Sequence, residues 1–260
     1  MRGSRPSARR FSDRMTEVPV GGAVPRFELA GWREQYGVAA GITGRGEGQP
    51  FDLGLAGTEV PVGQVMDRWG NLRRSLPEFS AAVVSRQVHG TEILWHQGAA
   101  GLQIHEGADG HATERSGLLL AVTAADCVPL YLVDPSERRI ALLHAGWRGV
   151  AGGILRRGVA LLTARGSRVD SLLVHCGVGI CGACYEVGSE VFTGCGLATP
   201  AGGKGALDLR GVLVEQARAL GVKHISTSQF CSRHDPGLFF SHRGSGGRDG
   251  RMVAYLGLLP

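Results

Sequence analysis

Residues 118–149 read LLLAVTAADCVPLYLVDPSERRIALLHAGWRG, and this stretch decides how the chain folds. Residues 118–123 and 128–133 are apolar runs of strand length, too short for buried helices. Between them stands the polar break Ala124-Ala125-Asp126-Cys127, placed where sites tend to sit. Residues 139–144 read as a third short strand, ending in the loop Ala145-Gly146-Trp147-Arg148-Gly149. A helix is predicted over 150–163, with Ile154, Leu155, Val159 and Leu162 as its buried stripe.

Working outward, 27–32 and 37–43 read as strands around a turn, and 63–76 has helical spacing through Val65, Trp69, Leu72 and Leu76. Residues 81–88 and 93–95 are strand-like, separated by the turn His89-Gly90, and a polar loop then carries Ala108-Asp109-Gly110. Further strands are predicted at 172–176, 224–227 and 252–258, with Asp208 as N-cap of a helix ending near Gly221. Strands dominate, but their connections mix hairpins with helices. This gives an α+β (mixed α/β) fold rather than a doubly wound sheet. Without an internal repeat or a linker after residue 20, the expectation is one catalytic domain over 21–260 behind a disordered basic tail at 1–20.

The net charge of +5 suggests nucleic acid until its distribution is considered. Arg2, Arg5, Arg9, Arg10 and Arg14 against Asp13 place almost all of the excess in the tail, so the body is near neutral and no nucleic acid is expected. No stretch reaches the roughly 18 apolar residues of a membrane helix, and no signal peptide is evident. No membrane association and a cytoplasmic location follow as expectations. The six cysteines are then read as reduced thiols, buried hydrophobes or metal ligands.

Three segments put a ligating side chain at the junction of an apolar strand and a loop: Gln87-Val88-His89-Gly90, Ala125-Asp126-Cys127, and His144 at the head of the Gly146 loop. Zinc accepts two imidazoles and one thiolate, and three protein ligands leave a fourth position for water. Its pKa there falls to about 7, which supplies hydroxide at neutral pH. Taken singly, a His at a strand end also reads as a hydrogen-bonded surface group, and Cys127 also reads as a small core residue.

These segments resemble the multicopper-polyphenol-oxidoreductase-like, or laccase-domain, family, regarded as purine nucleoside phosphorylases. The resemblance runs through QVHG at 87–90, ADG at 108–110, TAADCVPL at 123–130, HAGWRG at 144–149, CYEVG at 184–188, FFSHR at 239–243 and GR at 250–251. It implies one catalytic zinc per chain on His89, Cys127 and His144, which makes those three the catalytic set. It also implies phosphorolysis of adenosine, inosine and methylthioadenosine, with adenosine deamination as a side activity. The implied fold is a two-layer mixed β-sheet core flanked by helices, like that of a bacterial toxin deamidase. The older laccase label implies copper, but two His and one Cys fall far short of a multicopper ligand set, so copper is not expected. The chain departs from the family where relatives often read Gly-Pro-x-Ile-Gly-Pro-Cys-Cys-Tyr. Here Gly177-Val178-Gly179-Ile180-Cys181-Gly182-Ala183-Cys184-Tyr185 has lost both prolines. The early segment Phe51-Asp52-Leu53-Gly54-Leu55 is altered as well.

Arg148 and Arg243 stand in motif loops as candidate phosphate or substrate-oxygen contacts, since a guanidinium fork suits oxyanions. Trp147 is a candidate stacking surface for a purine, and Asp126 a candidate to orient a ligand or act as a base. Surface pairing, a rim Trp and a loop-capping carboxylate are the plain alternatives for these residues. Asp109, His105, His111 and His242 are held in reserve. Cys181 and Cys184 find no second Cys pair to complete a four-cysteine set and are read as partly buried thiols. The His-x-Glu and Pro-Cys-x-x-Cys signature of zinc nucleoside deaminases is absent. A cysteine-type amide hydrolase with Cys127 as nucleophile is the competing enzyme reading, and a binding module using the basic tail is a third. The expected partners are purine nucleosides and phosphate, and the expected state is a monomer or weak homo-oligomer.

Overall fold

The computed structural model describes residues 14–55 and 59–260. The opening stretch is divided between two layers. Leu118–Ala124 lies within one seven-stranded sheet and Val128–Asp134 within another. Both strands are buried almost throughout, which is why they read as unbroken apolar runs rather than as an alternation.

The first sheet runs, edge to edge, Arg14–Met15, His224–Ser228, Leu173–Cys176, Val128–Asp134, Arg139–Ala145, Gly110–Thr113 and Ile93–His96. The second runs Glu17–Val20, Arg26–Leu29, Val38–Thr43, Met252–Leu258, Leu118–Ala124, Ala81–Arg86 and Gly101–Glu106. Parallel and antiparallel pairings occur in both, so the mixed α+β reading holds. Their inner faces share a core in which Val83, Leu120 and Val122 meet Tyr131, Val133, Ile140 and Leu142. The strand period of two sends Leu130, Leu132, Ala141 and Leu143 outward instead, against helices Ile154–Thr163 and Leu209–Ala219. Helix Val62–Arg74 covers the outer face of the second sheet through Val65, Trp69 and Leu72. No helix among the described residues is long and apolar enough to cross a membrane.

Several expectations need correction. The helix expected over 150–163 is two helices, Trp147–Gly152 and Ile154–Thr163, broken where Gly153 takes a left-handed φ of 81°. The strand expected over 27–32 stops at Leu29, and Trp32 begins a short helix. Asp208 occupies its N-cap position without a side-chain capping hydrogen bond. Residues 101–106, expected as part of a polar loop, form an edge strand. Part of the stretch expected as tail is ordered instead: Glu17–Val20 is a strand, and the buried Glu17 receives the Ser228 hydroxyl at 2.8 Å. Residues 1–13 of that tail lie outside the described residues.

The topology places the site. Gly101–Glu106, Ala81–Arg86 and Leu118–Ala124 are mutually parallel, so all three end on one side of the second sheet. Each then crosses to the first sheet, the next strands being Gly110–Thr113, Ile93–His96 and Val128–Asp134. The crossings carry Asp109, His89 and Cys127 respectively.

Candidate metal centre

His89, Cys127 and His144 come together with their ligating atoms all within 4.8 Å of one another. Cys127 immediately precedes Val128, which pairs with Ala145, and Pro129 pairs with His144. That antiparallel register sets the thiol beside the imidazole. His89 arrives from the neighbouring crossing, fixed by Gln87: its amide nitrogen donates to the Thr123 carbonyl at 2.9 Å, and its oxygen accepts from the Thr123 amide at 2.7 Å.

Asp109 organises the centre from beneath. It is fully buried, and its carboxylate accepts the amides of Val88, His89 and Gly90 at 3.2, 3.0 and 2.7 Å. Those bonds hold His89 at a φ of 59°, a left-handed conformation that a side chain ordinarily avoids. The same carboxylate lies 2.9 Å from His144 Nδ1, which directs the other ring nitrogen into the centre, as metal-ligating imidazoles require. Gly146 completes the fit, because a Cβ there would stand 2.8 Å from the His89 ring and 3.1 Å from the Cys127 sulfur.

Charge is concentrated here. Burial opposes ionisation of Cys127, but the charge of His144 and hydrogen bonds from both imidazoles outweigh it and bring the thiol down to about 6. Burial likewise opposes protonation of His144, yet the Cys127 thiolate and Asp109 raise it to about 9. Burial also disfavours the Asp109 anion, which the His144 and backbone hydrogen bonds nonetheless hold below the usual carboxylate range. A ready thiolate and an oriented imidazole are what a divalent zinc ion takes from protein, and its binding would displace the proton that His144 otherwise holds. Replacing Asp109 with Asn should therefore lower zinc affinity about 10–100-fold without removing a ligand, as competition with a chromophoric chelator would measure.

The three residues line a cavity of about 490 Å³. Arg86, Arg148, Arg243 and Arg251 stand on its wall with His242 and Tyr185, and Asp126 is the only carboxylate there among the described residues. Arg148 lies over the Trp147 ring at 4.5 Å, and Arg243 over Tyr185 at 5.2 Å. Asp126 is buried, at a φ of 89°. Its carboxylate is engaged by the hydroxyls of Ser232 and Ser241 at 2.6 and 2.7 Å and by the Arg243 amide at 2.6 Å. Of the reserve histidines, only His242 reaches the cavity wall. His111 bonds His96 at 2.9 Å and Ser85 at 3.1 Å, and His105 packs against both rings. Gln87 and the two serines have no place in the sequence reading. Gln87 stands within QVHG and Ser241 within FFSHR, whereas nothing local marks Ser232, whose partner is 106 residues away.

Residues 49–259 match the family described as multi-copper polyphenol oxidoreductase laccase. The chain belongs to this family. The purine nucleoside phosphorylase YlmD of Geobacillus stearothermophilus is 36% identical over 252 residues, covering 85% of this chain and 90% of that protein. A purine nucleoside phosphorylase of Deinococcus radiodurans is 38% identical over 178 residues, 66% of this chain and 68% of that protein. Adenosine deaminase RL5, from an unknown prokaryotic organism, is 38% identical over 158 residues, 56% of this chain and 60% of that protein. The crystal structure of the Geobacillus YlmD superposes with a TM-score of 0.82 at 30% identity, covering 94% of this chain and 100% of that one.

Proposed function

We propose that this enzyme is a zinc-dependent purine nucleoside phosphorylase. It would convert adenosine, inosine or methylthioadenosine and phosphate to free base and ribose 1-phosphate, and deaminate adenosine at the same centre. The observation that carries this reading is a His/Cys/His set of zinc-type donors in the wall of an arginine-lined cavity. Residues 21–260 would act as one catalytic domain, in the cytoplasm, as a monomer or weak homo-oligomer.

Phosphorolysis forms a bond from a phosphate oxygen to the anomeric carbon while the bond from that carbon to the purine nitrogen breaks. The base leaves with the electron pair and takes up a proton. Arg148 and Arg243 would hold the phosphate in line, and Trp147 would stack on the purine once the Arg148 guanidinium that covers its ring turns to the phosphate. Asp126, with both carboxylate oxygens engaged, would act on substrate by fixing the Arg243 loop against the Cys127 loop. His89, Cys127 and His144 would hold the zinc, which supplies Lewis-acid stabilisation of the departing base and activates water for deamination. A nucleoside panel incubated with and without phosphate tests this: free base and ribose 1-phosphate should appear only with phosphate. Base release independent of phosphate would overturn it.

Replacing Arg148 or Arg243 with Ala should raise the phosphate KM about tenfold, the loss of one charge-assisted hydrogen bond. Conversion of adenosine to inosine should be partly retained. Steady-state kinetics at varied phosphate measure both, and an unchanged KM in each variant would move the phosphate site to backbone amides of the Gly-rich loops.

One geometric fact favours a second reading. Asp109, His144 and Cys127 follow the order of orienting acid, base and nucleophile, with the thiol already depressed. The cysteine-type amide hydrolase, and the toxin-deamidase likeness of the fold, belong with that arrangement. Zinc content separates the two: stoichiometric metal shielding Cys127 from alkylation supports the phosphorylase, and metal-free protein with a rapidly alkylated Cys127 supports the hydrolase.

A further inference from the structure

A second group of ligating side chains converges elsewhere. Cys181, Cys184, Cys231 and His234 bring three sulfurs and an imidazole nitrogen within 4.8 Å of one another. Cys184 Sγ lies 3.1 Å from His234 Nε2, and Cys181 Sγ lies 3.6 Å from Nδ1 of the same ring. Zinc–sulfur bonds of about 2.3 Å in a tetrahedron set neighbouring sulfurs about 3.8 Å apart, so the four donors are already gathered on that scale. All three cysteines are free thiols.

The backbone is arranged around the sulfurs as well. The amides of Ala183 and Cys184 donate to Cys181, and the amide of Cys181 donates to Cys231 Sγ at 3.2 Å. A thiol sulfur is a weak acceptor, whereas an anionic sulfur is a strong one, so converging amides suit thiolates. The spacing is the other half of the argument. A Cys-x-x-Cys pair at 181–184 meets Cys231-Ser232-Arg233-His234, a Cys-x-x-His pair of structural-zinc type.

We propose that Cys181, Cys184, Cys231 and His234 form a structural zinc site that clamps a loop of the cavity wall to the neighbouring loop that carries Cys231 and His234. Four protein ligands close the coordination sphere, so this zinc holds structure and does no chemistry. The loops already touch, through a bridge between Gly179 and Cys231 and the Ser232 amide bonded to the Gly179 carbonyl at 3.1 Å. One loop presents Ile180 and Tyr185 to the cavity, and the other delivers Ser232 to Asp126. The first has glycine at 177, 179 and 182 and no proline, so little in its own sequence stiffens it. Three thiolates and a neutral imidazole leave the zinc site one negative charge in excess. Arg233, whose guanidinium bonds the Cys184 carbonyl at 3.1 Å, stands beside it to offset that charge. Metal uptake releases the thiol protons.

The proposal is independent of the zinc at His89, Cys127 and His144, and the test removes that ion first. Elemental analysis of Cys127→Ala protein, prepared without chelator, should find about one zinc per chain, against about two in the unmodified chain. Adding Cys231→Ser or His234→Ala should take this to near zero. A readout on the unmodified chain covers variants that fail to fold: alkylation followed by intact-mass analysis should spare Cys181, Cys184 and Cys231 until a chelator is added. Zinc-free Cys127→Ala protein, zinc unmoved by Cys231→Ser, or chelator-independent alkylation of the three thiols would each overturn the site. So would a Cys181–Cys184 disulfide in freshly purified protein.

Discussion

Replacing Cys127 or His144 with Ala is expected to cut nucleoside turnover at least a thousandfold, about 4 kcal/mol of barrier, while the fold survives. Each change removes one of three donors, and a two-ligand site loses both affinity for the ion and its aim. The structural cost should differ between the two. Cys127 is half-buried on the cavity wall, so its sulfur leaves into existing space and the melting temperature should barely move. His144 is buried, and its loss leaves a cavity and takes a charge-assisted hydrogen bond from an Asp109 oxygen that keeps only the His89 amide. That costs about 1–3 kcal/mol, or a few degrees of melting temperature for a chain of this size. Kinetics with thermal melting measure both parts. More than about a hundredth of wild-type activity in either variant would sink its role as a ligand, because support residues alone are worth 10–100-fold.

The candidate ligands of this centre stand out in the sequence because each is a chemically distinctive residue at the end of an apolar strand, and the family resemblance joins them into one set. Their convergence cannot. Residues 81–88 and 93–95 look like the arms of a hairpin about His89-Gly90, yet they belong to different sheets, as do the strands on either side of Cys127. Strand periodicity reports which face is buried, not which layer the next strand enters. Asp109 illustrates the same limit. Within Ala108-Asp109-Gly110 it reads as a loop carboxylate, and only the pairing of Gly110 with Leu143 brings it to His144. The break at Gly153 is hidden because the apolar stripe continues through Ile154 and Leu155 on the far side. The Cys231–His234 spacing is present in the sequence but looks isolated, since its partners lie almost 50 residues earlier.

Replacing Asp126 with Ala should be the most destabilising single change at the site, and it should lower activity as well. The carboxylate is a buried junction that takes the Ser232 and Ser241 hydroxyls on one oxygen and the Arg243 amide on the other. Removing it leaves three donors without their acceptor at a buried junction. At about 1–3 kcal/mol for each stranded group, and allowing for relaxation, the loss should be about 3–5 kcal/mol, or roughly 10 °C of melting temperature. The Asp126 backbone also matters. Its φ of 89° turns the chain from one sheet to the other, and its carbonyl accepts the Ile180 amide at 2.9 Å. With the side-chain anchor gone, the crossing that aims Cys127 and the loop that carries Arg243 both loosen, so zinc affinity and the phosphate KM should worsen in parallel. Asp126→Asn provides the control. It keeps the shape and one good acceptor oxygen, so it should recover most of the melting temperature by retaining the two serine bonds, while the Arg243 amide faces an NH2 donor. The expected result is therefore near-normal zinc content with impaired phosphate use. An Asp126→Ala protein that melts within a degree or two of wild type would show that these three bonds do not hold the loops together.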